Sequence, residues 1–159
     1  MRVQASKHPN GHNSATVSSA RMGTSAGTRG ASDEAPRGTE TVLVVDDDEM
    51  VLELVVELVT DLGYHVLSAT DGASALVVLN GSEPIDLLFT DVVMPNHMNG
   101  YELARAARRR QPDLKILLTS AYPRLVGGTE EKSVDFPCLP KPYHRGQLAR
   151  SFRDILDAH

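Results

Sequence analysis

The run Thr41-Val42-Leu43-Val44-Val45-Asp46-Asp47-Asp48 decides the fold. Four apolar residues in a row, with no polar alternation, describe a strand covered on both faces, as in a parallel sheet flanked by helices. Three acids follow at the point where that strand surfaces. A second run, Leu87-Leu88-Phe89-Thr90, ends the same way on Asp91. Side by side, two such strand ends gather enough carboxylates to hold a divalent cation.

Working outward, short apolar runs alternate with helical spacing. Residues 49–62 place Met50, Leu52, Val55, Val56, Val59 and Leu62 at helical intervals, and Gly63 is a stop signal. Tyr64 to Ala69 alternates as a second strand, and Asp71-Gly72 opens a second helix running to Asn80. Ile85 to Thr90 reads as the third strand. A helix from Gly100 to Arg110 ends in Arg108-Arg109-Arg110, which complements its C-terminal dipole. Leu114 to Leu118 is the fourth strand. Residues 122–136, with Pro123 and Gly127-Gly128, support at most a short, weak fourth helix. A fifth strand at Pro137 to Leu139 precedes a last helix over 144–157 that shares Leu148, Phe152, Ile155 and Leu156 on one face.

Five β-then-α units imply an α/β fold: a doubly wound, five-stranded parallel sheet with right-handed crossovers and helices on both faces. Ligands of such sheets bind at the carboxyl ends of the strands, near the point where strand order reverses. Asp46, Asp47, Asp91, Thr119 and Lys141 all fall at strand ends, so the topology predicts that they converge.

Composition narrows the classes. The chain has 159 residues, 41% apolar and 23% charged, which suits one soluble domain. Its net charge of -5 argues against nucleic acid as the partner. Residues 1–40 carry Arg2, Lys7, Arg21, Arg29 and Arg37 against three acids, a net of +2, which leaves -7 for residues 41–159. The first forty residues are rich in Ser, Thr, Gly and Ala and are expected to form a disordered tail, since they cannot bury enough surface to offset chain entropy. Their early basic residues superficially resemble a transit peptide, yet no amphipathic stripe accompanies them, and a later start such as Met22 is the other alternative. Cys138 is the sole cysteine, which excludes an internal disulfide. No apolar run approaches the roughly 18 residues of a membrane span. A cytoplasmic protein without a membrane partner is expected, with residues 41–159 as its domain.

Three clustered carboxylates raise one another's pKa unless a cation relieves them. Magnesium suits a few carboxylates together with waters and phosphate oxygens. An Asp91 oxygen can then attack phosphorus to give an aspartyl phosphate. The charge on the phosphoryl oxygens calls for positive partners, and the Lys141 ammonium is one. The Thr119 hydroxyl can donate to a phosphoryl oxygen and so sense the modification.

With these residues in view, Val42-Leu43-Val44-Val45-Asp46-Asp47, Thr90-Asp91-Val92-Val93-Met94-Pro95 with Gly100, Leu118-Thr119-Ser120 and Pro140-Lys141-Pro142 resemble the response-regulator receiver domain of two-component signalling. The likeness spans residues 41–159 and implies a flavodoxin-like sheet. It implies that Asp91 is the phosphoacceptor and that Asp46 and Asp47 are the magnesium-binding acids, joined by the backbone carbonyl of Val93. Thr119 looks like the family's switch hydroxyl and Lys141 like its lysine. The implied partners are a sensor histidine kinase or a histidine phosphotransfer protein, and a downstream protein target.

Several positions depart from that pattern or carry blander readings. Three residues before the lysine, where the family often has an aromatic, stands Cys138, read here as a small buried hydrophobe; Phe136 lies two residues earlier. Asp48 and Glu49 read as helix-start acids, Asp86 as a solvated strand-entry residue, His97 as a solvated loop residue and Tyr143 as packing on the sheet edge. The last helix, opening at His144-Arg145-Gly146, lacks a preferred capping residue. Since the chain ends after that helix, a lone receiver or a detached relay module is expected, with no output domain.

Two alternatives remain open. A magnesium-dependent phosphohydrolase would commonly carry a second acid two residues beyond the nucleophile; Val93 occupies that place, which argues against an enzyme acting on external substrates. A pseudo-receiver binding its partner without phosphorylation would have no need of Asp47, Asp91, Thr119 and Lys141 together.

Overall fold

Strand β1 (Thr41–Val45) lies between β2 (His65–Ala69) and β3 (Leu87–Asp91), followed outward by β4 (Lys115–Ser120) and β5 (Cys138–Pro140), in a computed structural model that describes residues 34–95, 98–122 and 136–159. The order β2-β1-β3-β4-β5 is parallel at every pairing. It reverses between β1 and β3, as doubly wound flavodoxin-like sheets do. β1 has the bounds read from the sequence, and the other strands differ from that reading by one or two residues at an end. One shift matters: β4 extends to Ser120, so Thr119 pairs with Asp91 on one side and Leu139 on the other, inside the sheet.

Side chains alternate across a strand, so each apolar run feeds two cores. Leu43, Val45, Leu88, Ile116 and Leu118 pack on one face with Ala75 and Leu79 of α2 (Gly72–Leu79) and Leu103, Ala104 and Ala107 of α3 (Gly100–Arg110). Val42, Val44, Leu87, Phe89, Leu117 and Leu139 pack on the other with Leu52, Val55 and Val59 of α1 (Glu49–Asp61) and Leu148, Ala149 and Phe152 of α4 (Arg145–Leu156). This second core is centred on Phe152, which meets Phe89 and Tyr64 edge-on at 5.2 and 5.4 Å between ring centroids. The weak helix expected over 122–136 falls mostly on residues 123–135, which lie outside the described residues.

Local chemistry fixes the helix ends. The Asp48 carboxylate accepts from the N–H groups of Met50 and Val51, Asp71 accepts from Ser74, and Asn99 forms a capping box with Glu102. Gly63 ends α1 with φ at 99°, a left-handed conformation that a β-carbon would strain. The expectation of a poorly capped last helix is overturned. His144 Nδ1 accepts from the Gln147 N–H while the Gln147 side chain accepts from the His144 N–H, so an imidazole does the work usually given to a hydroxyl or carboxylate.

One other expectation is extended and one is corrected. Asp86 is more than a solvated entry residue: its carboxylate accepts from the Thr41 N–H at 2.8 Å and so pairs the start of β1. Tyr143 packs edge-on against Phe89 of the central strand β3, not on a sheet edge. At the pole opposite the acids, residues 34–40 lie along the domain. Gly38 donates to the Leu62 carbonyl, and the Glu40 carboxylate is gripped by Arg153 at 2.8 and 2.9 Å.

Candidate functional site

The two apolar runs deliver their acids to one rim. Asp46 follows β1, Asp91 ends β3, and one carboxylate oxygen each from Asp46, Asp47 and Asp91 lies within 4.8 Å of the others. Asp46 is buried, Asp91 half-buried and Asp47 exposed, so the cluster opens to solvent on the Asp47 side. All three donors are hard carboxylate oxygens crowded together, a set that fits a divalent cation such as magnesium.

Lys141 reaches the same point from β5. Its backbone N–H donates to the Ser120 carbonyl, which anchors the residue beside the end of β4. Its ammonium lies 3.1 Å from Oδ2 of Asp91 and 3.4 Å from Oδ2 of Asp46. Burial alone would lower the Lys141 pKa, but the charges and hydrogen bonds of Asp91 and Asp46 outweigh it and raise it. Lys141 is therefore held as the ammonium. Burial pushes the Asp46 carboxyl above its usual value, partly offset by the Asp48 N–H on its Oδ1 and by Lys141, while Asp91 adds to the rise.

The loop after β3 is shaped to present Asp91. The Val93 N–H donates to Asp91 Oδ1 at 3.2 Å, turning the carboxylate toward the rim. The Gly100 N–H donates to the Val92 carbonyl, bringing the start of α3 against the loop. A β-carbon at Gly100 would collide with the Asp91 carbonyl oxygen and press on Val92 Cα, so this close approach requires glycine. The Val92 N–H also donates to the Thr119 carbonyl, tying the loop to β4.

Thr119 itself is buried, and its hydroxyl donates to the Leu139 carbonyl at 2.9 Å. The expected sensor is thus near Asp91 in register but committed to the neighbouring strand. Tyr143 is a neighbour that sequence reasoning assigned only a packing role. Burial, and then the charges of Asp46 and Asp91, push its phenol up to about 12. Its place in the run Lys141-Pro142-Tyr143 was the available signal. His97 lies outside the described residues.

The residue-level match is echoed by known proteins. Residues 42–153 match the family model of the response regulator receiver domain. The chain belongs to the response-regulator receiver family. It is 36% identical over 118 residues to the response regulator receiver protein CpdR of Brucella abortus, covering 74% of this chain and 97% of that protein. It is 34% identical over 123 residues to the sensor kinase CckA of the same organism, covering 76% of this chain but only 13% of that one. Its fold superposes on the response regulator TrrA of Thermotoga maritima, solved in complex with Mg(2+)-BeF, with a TM-score of 0.64 and 28% identity, covering 74% of this chain and 99% of that one.

As a receiver, a module of two-component signalling, the chain departs from pattern at Cys138. The residue is half-buried rather than fully buried and, like Tyr101 and Phe136, packs against the α2–α3 core. Burial, and then the Asp91 charge, push its thiol pKa up, which favours the protonated thiol over the thiolate. Among the described residues no helix is long and apolar enough to cross a membrane.

Proposed function

We propose that this receiver takes a phosphoryl group from a phosphohistidine onto Asp91 and thereby switches, or relays a signal through, a protein contact in the cytoplasm. The observation that carries the reading is the meeting of Asp46, Asp47, Asp91 and Lys141 at one rim. An Asp91 oxygen attacks phosphorus in line; the O–P bond forms as the P–N bond breaks, and the electron pair stays on the donor imidazole. Lys141 shifts from the carboxylates to the incoming phosphoryl oxygens, where its fixed positive charge offsets charge spread in the transition state. A magnesium ion held by Asp46, Asp47, Asp91 and the Val93 carbonyl would neutralise the same oxygens. Thr119 exchanges its bond to the Leu139 carbonyl for one to the phosphoryl group, which loosens the β4–β5 edge and carries the change outward.

The donor is a sensor histidine kinase or a histidine phosphotransfer protein. Likeness to a receiver protein and to a sensor kinase supports this class of partner. A cavity of about 440 Å³ lined by Val51, Ala121, Lys141, Pro142 and Tyr143 borders the rim, and Met50 and Leu54 are exposed on α1 beside it. These apolar surfaces suit a partner that must bring a histidine to Asp91.

The test is incubation with acetyl phosphate and magnesium, read by intact mass. One added phosphoryl group is expected, and Asp91→Asn should abolish it. A mass unchanged even with a kinase-supplied phosphoryl group would favour a pseudo-receiver. Steady phosphate release from small phosphomonoesters would favour a hydrolase, a reading that the exposed, non-ionisable Val93 opposes.

A further inference from the structure

Four guanidiniums crowd one helix of an otherwise acidic domain. Helix α3 carries Arg105, Arg108, Arg109 and Arg110 against one acid, Glu102, while residues 41–159 as a whole carry -7. All four arginines are exposed, and among the described residues none pairs with a carboxylate. The helix dipole accounts for basic residues in the last turn only, because its effect fades within a turn. Arg105 lies outside that turn. Arg105, Arg108 and Arg109 stand at i, i+3 and i+4, which puts them on one face. Together with Phe136 they line an open cavity of about 440 Å³, and the Arg108 guanidinium sits 5.4 Å over the Phe136 ring.

We infer that this face of α3 docks a short acidic segment of another protein, its carboxylates on Arg105 and Arg109 and an apolar side chain against Phe136. Arginine with an aromatic is the chemistry of strong contact points in protein interfaces. The planar fork of a guanidinium pairs two-to-two with a carboxylate, which an ammonium cannot do. A compact cluster on a negative domain also selects against a long polyanion: a nucleic acid engaging α3 would bring further phosphates against the acidic surface around it. A short acidic peptide needs only the cluster. This surface lies on the α2–α3 side of the sheet, whereas Met50 and Leu54 lie on α1 across it, so the receiver could hold this partner and a phosphodonor at once.

The test uses the full chain and a fluorescein-labelled decaglutamate peptide, read by anisotropy at low and at physiological salt. Binding that weakens with salt is expected, with at least a tenfold loss of affinity in the Arg105→Gln, Arg109→Gln double variant. The Arg150→Gln variant, on α4 across the sheet, should bind within twofold of wild type. Arg108 is left intact because it packs on Phe136, and circular dichroism checks that the variants fold. No decaglutamate binding, or binding indifferent to the double variant, overturns the proposal in favour of a plainly solvated face. Tighter binding of a twenty-residue oligothymidylate overturns it in favour of nucleic acid. Because Glu49, Glu53 and Glu57 make α1 acidic, a second copy is a further occupant that the test distinguishes. A concentration-dependent mass in sedimentation, abolished by the same double variant, would assign the face to self-association and overturn the separate partner.

Discussion

The Lys141 ammonium lies 3.1 Å from Oδ2 of Asp91, a residue 50 positions earlier in the chain. That contact joins the ends of strands β3 and β5 across the sheet and sets the electrostatics of the rim. A hydrogen bond to a charged group contributes about 1.5–3 kcal/mol, and about 1.36 kcal/mol is a factor of ten in rate. Lys141→Met is therefore expected to slow phosphorylation by acetyl phosphate about ten- to a hundredfold, followed as the rate of mass gain. An unchanged rate would show that the ammonium serves only the resting carboxylates.

Asp47 is the exposed member of the acid cluster. Without a cation its charge mainly repels Asp46 and Asp91, so Asp47→Asn should leave the metal-free melting temperature unchanged or slightly raised. With magnesium at tenfold over its Kd, wild type should gain about 1.4 kcal/mol, a shift of a few degrees for a domain of this size. The variant should lose most of that gain. Thermal scans with magnesium and with a chelator read both effects, and an equal magnesium shift in the variant would remove Asp47 from the metal site.

Gly100→Ala tests how the Asp91 loop is held. The added methyl meets backbone on two sides, the Asp91 carbonyl oxygen and Val92 Cα, neither of which is a flexible side-chain tip. Overpacking of this kind costs about 1–3 kcal/mol. The change is also expected to slow phosphorylation, because the loop that orients Asp91 must move. Denaturation and phosphorylation measured on the same sample separate the two, and a neutral result in both would mean that α3 and the loop part freely.

The rim was legible in the sequence because strand ends announce themselves: Val42 to Val45 and Leu87 to Phe89 are apolar, and the acids sit where each run stops. The same logic brought Thr119 and Lys141 to that rim, although β4 runs on to Ser120 and carries Thr119 inside the sheet. What their side chains touch was not legible. The Thr119 hydroxyl meets the Leu139 carbonyl because of the β4–β5 register, and register is a property of pairing rather than of either strand alone. Tyr143 meets Phe89 because the chain turns inward after β5. The cap supplied by His144 depends on an imidazole nitrogen acting as acceptor, which residue preferences rank low. Arg153 and Glu40, 113 residues apart, share no local pattern at all.

That last pair gives a pH dependence of known sign. The hydrogen bond from Arg153 holds the Glu40 carboxyl below its ordinary value of 4.5, against the opposing effect of burial. A group with a depressed folded pKa stabilises above its unfolded value and loses that stability as pH falls through the folded one. Both side chains are partly exposed, so the contribution is about 1 kcal/mol after screening. Wild type is expected to lose this increment below about pH 4.5, while Glu40→Gln lacks it at neutral pH and declines less on acidification. Urea midpoints between pH 7 and 3 check it, and parallel curves would remove the pair from the stability of the fold.

The lifetime of the proposed aspartyl phosphate follows from what stands around Asp91. Hydrolysis needs a water aligned with the O–P bond, and a neighbouring polar side chain is what would align it. Two residues past Asp91 stands Val93, 58% exposed, and two past Thr119 stands Ala121, also exposed; neither carries a hydrogen-bonding side chain. Slow loss of the phosphoryl group, over many minutes or longer, is expected once donor is removed. Val93→Gln supplies an amide at the rim and should shorten the lifetime several-fold, because aligning the water is the step the wild-type rim leaves to chance. Loss of the added mass after rapid desalting measures both proteins, and a wild-type half-life of seconds would mean that another group orients the water.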